Sequence, residues 1–310
     1  DLAASFAPNN IIVGGLAGSA GIALAFAFAS FIGFEATAIY GEEAKDPHRT
    51  VPRATYAAVL TITVLFGLTA FAIVTALGST NVIDEVLARS DGLANPANVL
   101  FSVASEYVGT WMADVMSWLV ISSLFAGLLA FQNSAARYFF AMGRAGVLPE
   151  RLDRVNGRGA PGNASLTTSV ISLIVILIFV FRDLDPVLNL FYWFSGLAVV
   201  AIVWVEILVC LAVIVYFRRN PAGANAWNSL IAPLGAAILL ALGQYLLTSR
   251  FGLLAGTVAE GVDPSAQPWG LNLLGWFLIT LPFMLFVFGV IIGSVRQNKE
   301  NEDAIADLVR

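Results

Sequence analysis

The chain has 310 residues, of which 58% are hydrophobic and 12% charged, and its mean hydropathy is +0.82. A soluble domain is about 45–50% apolar and about 25% charged, so the composition excludes an ordinary water-soluble protein and indicates a polytopic α-helical membrane protein. The net charge of −5 carries little weight, because in such a protein the placement of charge matters more than its sum. A single cysteine, Cys210 in an apolar run, excludes an internal disulfide and a cysteine-built metal cluster; the single His48 argues against a histidine-built site.

Taken in chain order, hydropathy predicts about seven spans near the roughly 17–25 residues that a bilayer requires. They lie at about Ile11–Tyr40, Ala54–Leu77, Trp111–Met142, Leu166–Phe181, Leu188–Phe217, Leu230–Thr248 and Leu271–Val295. Breakers such as Asp46-Pro47, Val51-Pro52, Asn95-Pro96, Leu148-Pro149, Asp185-Pro186 and Asp263-Pro264 mark loops between them. All but Arg89, Arg182 and Arg250 of the 16 lysines and arginines fall on one side of this pattern. By the positive-inside rule that side is cytoplasmic, which places the C-terminus inside and Asp1 outside. A chain that starts outside with no signal segment and no methionine reads as the continuation of a longer protein.

In the first span the run Ser30-Phe31-Ile32-Gly33-Phe34-Glu35 is the most informative stretch. A carboxylate near the hydrocarbon core is costly and marks a functional site by default, and Gly33 beside it weakens the helix and lets the backbone open. A break there exposes carbonyls at the end of one half-helix and N–H groups at the start of the next, suited to an ammonium and to an anion respectively. Two readings stand for Glu35: a carboxylate that brackets the break by bonding nearby backbone N–H groups, or a direct ligand or proton carrier. The backbone from Phe28 to Gly33 is the stronger candidate for direct contact.

Between the second and third spans, the loop from Gly78 to Thr110 predicts a short helix over Pro96–Tyr107, with Val99, Leu100 and Val103 on one face. It reads equally as an interfacial helix and as a lid. On the third span Asp114, Ser122, Gln132 and Asn133 share a stripe, either a water path or an interhelical packing device. Ser122 and Ser123 lie close to mid-membrane and, with Asn133, are candidates for a coupling-ion or polar path. Glu206 is a second membrane carboxylate, on the fifth span. Ser195 follows the aromatic group Tyr192-Trp193-Phe194 near the outer end of that span, where aromatics usually form an interfacial belt. No nucleotide-phosphate loop, catalytic triad or metal-ligand cluster is present, and no metal, cofactor or nucleic-acid partner is expected.

The segment SFIGFEATAIYGEEAKDPHRTVPRA resembles the sixth helix and following loop of the amino acid–polyamine–organocation (APC) permeases. Ala135-Ala136-Arg137 through Gly146-Val147-Leu148-Pro149, then Val155-Asn156-Gly157-Arg158-Gly159-Ala160-Pro161, is similar to the same family's eighth helix and its exit loop. The resemblance runs over essentially the whole chain and implies helices six to twelve of a twelve-helix transporter with a LeuT-type inverted repeat. Residues 1–310 then form one transmembrane domain: 11–217 the second five-helix repeat, 230–295 two accessory helices, 296–310 a cytoplasmic tail. It further implies that carbonyls near Ala29 and Ile32 hold a substrate amino group, that Phe31 or Phe28 gates the site, and that Ser195 lines it. The expected activity is secondary active transport of amino acids or related amines across the cytoplasmic membrane, by alternating access around the break at Gly33. H+ or Na+ is the possible coupling ion, the missing N-terminal helices supply the rest of the site, and no enzymatic chemistry is implied. The rival reading is a seven-helix receptor without transport. Its retinal-binding version fails, because both lysines, Lys45 and Lys299, lie outside the spans.

Overall fold

A computed structural model of the chain describes residue 7 and residues 19–39, 41, 44–92, 95–157, 159–220, 225–264 and 266–295. Six helices among these residues are long and apolar enough to cross a membrane: Pro47–Leu77, Thr110–Arg144, Gly162–Phe181, Pro186–Arg219, Trp227–Ser249 and Leu273–Ser294. Each matches a predicted span. The remaining one, expected over Ile11–Tyr40, is described from Ser19 onward and is not continuous. Helix α1 (Ser19–Ser30) stops, residues 31–35 are non-helical, and a short α2 (Ala36–Ile39) resumes. The tail beyond Val295 lies outside the described residues.

Helix α3 (Pro47–Leu77) corrects one boundary. Val51-Pro52 reads as a loop in the sequence, yet the helix runs through it. Pro47 sits in the first turn, where its missing N–H costs nothing, and Pro52 forfeits one internal bond near an exposed end. The gain from burying the long apolar run in lipid outweighs that loss. At 31 residues α3 is about 46 Å long, well beyond a hydrocarbon core of roughly 30 Å. Arg49 and Arg53 lie on its first two turns.

The chain forms two compact units. The first, residue 7 and Gly33–Ser172 among the described residues, contains α2, α3, α4 (Val82–Arg89), α5 (Asn98–Tyr107), α6 (Thr110–Arg144) and the first part of α7 (Gly162–Phe181). The expected short helix is α5, but α4 was not foreseen. Arg89 joins the two, with Nη2 2.7 Å from Glu106 and Nε 3.0 Å from Glu85. The bonds accepted by Glu106, then Glu85, hold the Arg89 guanidinium above its ordinary pKa. The Tyr107 hydroxyl donates to the Ala76 carbonyl at the end of α3. Val99 is buried but Leu100 is 45% exposed, so the apolar face of α5 excludes Leu100, which points 100° away.

In the same unit Gln132 of α6 donates to the Ser165 carbonyl and the Ser169 hydroxyl of α7, both at 2.9 Å. This is the interhelical use of a polar residue that lipid favours. Thr37 of α2 shares a hydrogen bond with Thr55 of α3.

The second unit holds α1, the rest of α7, α8 (Tyr192–Arg219), α9 (Ala232–Ser249), α10 (Phe251–Ala255) and α11 (Leu273–Val295). Single turns of wider helix, Pro186–Phe191 and Trp227–Ile231, lead into α8 and α9. The Asp185 carboxylate accepts from the N–H groups of Val187 and Leu188 and fixes the first of these starts. Its core is Val199, Val203 and Ile207 of α8 against Leu246 and Leu247 of α9 and Leu254 of α10. A second cluster joins Val200 to Phe251, Ala255, Leu271, Leu278 and Ile279. Arg250 is buried at the end of α9, and its guanidinium donates to the Pro264 carbonyl at 2.7 Å.

Candidate functional site at the interrupted helix

The interruption is written in the backbone. Ser30 returns its hydroxyl to the Phe26 carbonyl, and the Phe31 N–H bonds Phe28 rather than Ala27, tightening the last turn of α1. Gly33 then takes φ +112°, a conformation that side-chain-bearing residues rarely adopt. A Cβ at this position would meet nothing within 4 Å, so the requirement for glycine is conformational and not steric.

The Gly33 N–H, which a continuous helix would return to the Ala29 carbonyl, donates instead to Oε2 of Glu35 at 2.7 Å. A charged acceptor for a backbone N–H is among the stronger hydrogen bonds. Downstream, the N–H groups of Ala36 and Ala38 bond the Gly33 and Glu35 carbonyls and restart the helix. The carboxylate thus occupies the N–H that would otherwise help α1 run on. Glu35 is part-buried, as are Phe31, Ile32 and Gly33.

Within the second unit, Phe28, Ala29 and Ile32 pack against the Val199–Val203–Ile207 and Leu246–Leu247 cluster. Gly243 of α9 makes this seating possible, since a Cβ there would lie 2.6 Å from the Phe28 ring. Sequence reasoning missed Gly243; its only signal is one small residue beside Gln244 in an apolar run. Ser195 is half-buried in the first turn of α8, four and eight residues before Val199 and Val203 and so on the same face of that helix. The second unit thus seats the last turn of α1 on the core that α8 and α9 share.

Gly33 and Glu35 are joined in the first unit. Ser122 and Ser123 are exposed there on α6, with the Ser122 hydroxyl returned to the Leu119 carbonyl, and Asn133 and Asp114 are exposed on the same helix. Glu206 is part-buried on α8. Among the described residues no group of three or more histidine, cysteine, aspartate or glutamate side chains is arranged to hold a metal ion.

A sequence model of a family described as amino acid permease matches residues 3–250. The chain is 26% identical to a branched-chain amino acid permease of Lactococcus lactis over 177 residues, 56% of this chain and 36% of that protein. It is 28% identical to an uncharacterized transporter of Legionella pneumophila over 219 residues, 68% and 45% of the two chains. It is also 28% identical to an L-lysine transport protein of Corynebacterium glutamicum over 156 residues, 49% and 28%. The chain thus spans less than half the length of these relatives. No solved structure matches it.

Proposed function

The chain belongs to the amino acid permease family, and from that premise we propose that it supplies the interrupted-helix part of a secondary transporter for amino acids or related amines. The observation that carries the reading is the break over residues 31–35, held by Gly33 at φ +112° and by the Glu35 carboxylate on the Gly33 N–H. The last carbonyls of α1, around Ala29 to Ile32, carry the negative end of that half-helix and suit a substrate ammonium. Polar backbone of this kind is tolerated at membrane depth only where it is buried in protein or lines a cavity.

Phe28 is fixed against Gly243 and serves as an anchor, which leaves Phe31 as the gating ring and Ser195 as the polar lining from α8. Glu35 stabilises the break and does not itself grip the substrate. Ser122, Ser123 and Asn133 of α6 form the candidate path for H+ or Na+. The protein is a multi-pass membrane protein of the cytoplasmic membrane with its C-terminus inside, and it works by alternating access around Gly33.

The test is uptake by the protein, expressed from its native gene and reconstituted in liposomes. A panel of labelled neutral and cationic amino acids is offered under an imposed sodium gradient, a pH gradient, or internal unlabelled amino acid. Concentrative uptake or exchange under one condition is expected. Saturable binding with no accumulation under any of them refutes transport and favours the receptor reading.

A further inference from the structure

A cavity of about 350 Å³ opens in the second unit between α8, α9 and α11. Its walls are the aromatic rings of Trp204, Tyr245, Trp269 and Phe283 with Ile207 and Ile279, and one amide, Gln244, enters it. Trp204 and Phe283 meet edge to face at 4.8 Å. The rim residues Ala241, Tyr245 and Thr280 are exposed on apolar helices, so the cavity opens on the surface of the second unit.

Among the described residues, some polar atoms of the walls have no partner. Gln244 is 3% exposed, and neither its Oε1 nor its Nε2 has a hydrogen-bond partner there; the indole Nε1 of Trp204 is equally shielded and equally unpartnered. Groups of this kind are costly to bury, and more so at membrane depth, where no bulk water stands by to pair them. Together they present two donors, the indole N–H and the amide NH₂, beside one acceptor, the amide oxygen.

We propose that this cavity is a binding site for a neutral amphiphile that carries a carbonyl or hydroxyl group on an apolar body. The oxygen of such a group accepts from Trp204 Nε1 and Gln244 Nε2, and a hydroxyl or amide hydrogen returns to Gln244 Oε1. The apolar body fills the aromatic walls. At a share of roughly 30 Å³ per water, the volume equals about a dozen waters, but apolar walls of this kind are poorly suited to hold a water cluster. Among the described residues that line it, none is an acid or a strong base, so a zwitterionic amino acid would bring two unpaired charges. No described residue of α1 is among those that line the cavity, and the proposal does not rest on the transport reading. The same chemistry is offered by the ester carbonyl of a bilayer lipid and by a small free amphiphile.

The test is photolabelling of the full-length protein in nanodiscs with two probes. One is a diazirine-bearing benzamide added from solution, the other a phosphatidylcholine with a diazirine close to its acyl ester. Labelled peptides are mapped by mass spectrometry. Labels on the α8, α9 and α11 segments that line the cavity are expected, displaced by unmodified benzamide. A fall of at least tenfold is expected in Gln244→Leu and in Ala241→Trp. Because Gln244→Leu removes an unpartnered buried amide, it is expected to unfold at or above the wild-type temperature, so its lost labelling does not report misfolding. If that variant is destabilised, Ala241→Trp at the rim decides. The probe that labels identifies the source of the ligand. Absence of label at these segments from both probes, or label unchanged in both variants, overturns the proposal.

Discussion

Replacing Gly33 by alanine isolates the backbone conformation of the break from every other variable. An added Cβ meets nothing within 4 Å, so no clash contributes, and the whole cost comes from holding an L residue at φ +112°. Strain of this kind costs about 1–3 kcal/mol. Alanine also favours the helix over glycine by about 1 kcal/mol, which pulls residues 31–35 toward a continuous helix. With a factor of ten per ~1.4 kcal/mol, the interrupted conformation loses roughly one to three orders of magnitude in population relative to its competitors. Gly67, in the middle of α3, provides the control: a Cβ there also meets nothing within 4 Å, and its φ is ordinary. Initial uptake rates, normalised to protein in the membrane, are compared for Gly33→Ala and Gly67→Ala alongside their unfolding temperatures in detergent. Gly33→Ala is expected to lose at least tenfold in uptake, and Gly67→Ala to stay near wild type with equal or higher stability. Equal uptake by the two variants refutes the argument that the break depends on this backbone angle.

Glu35→Gln keeps an acceptor oxygen for the Gly33 N–H but replaces a charge-assisted bond of about 1.5–3 kcal/mol by a neutral one of about 0.5–1.5 kcal/mol. It is expected to impair uptake by tenfold or less, more than Asp114→Asn, whereas Glu35→Ala loses more; equal loss in the Gln and Ala variants means that the charge itself takes part in transport. Gly243→Ala places a Cβ 2.6 Å from the Phe28 ring and is expected to destabilise by about 1–3 kcal/mol. Adding Phe28→Leu is expected to recover part of that loss, and thermal unfolding of the four proteins of the cycle measures the coupling. For orientation, Asp91→Cys and Lys299→Cys in a Cys210→Ser background are treated with a membrane-impermeant thiol reagent on intact cells. Labelling of position 91 alone is expected, and labelling of position 299 from outside reverses the assigned orientation.

Much of this protein was readable as a string. Long uncharged runs have few alternatives to crossing a membrane as helices, because each must satisfy its own backbone hydrogen bonds in lipid. That requirement located six spans and, through Gly33 and Glu35 inside an apolar run, the interruption of a further one. Composition also pointed to a short helix ending at Tyr107, because local periodicity survives in a loop. The sequence by itself could not distinguish bracketing from binding for Glu35, since either needs a carboxylate at that place; the bond to the Gly33 N–H is a property of the folded turn. It was also silent on α4, whose tie to α5 depends on Arg89 reaching Glu106 across the loop. Pro52 misled because a loss of one hydrogen bond is small beside the apolar burial of a 31-residue helix. Gly243 and Gln244 were invisible for a deeper reason. A small residue or an amide in an apolar helix has no periodicity of its own, and only packing shows that one seats Phe28 while the other stands in a cavity, unpartnered among the described residues. Membership of a class follows from what each segment must do alone in lipid; the roles of single residues were decided where segments distant in the chain meet.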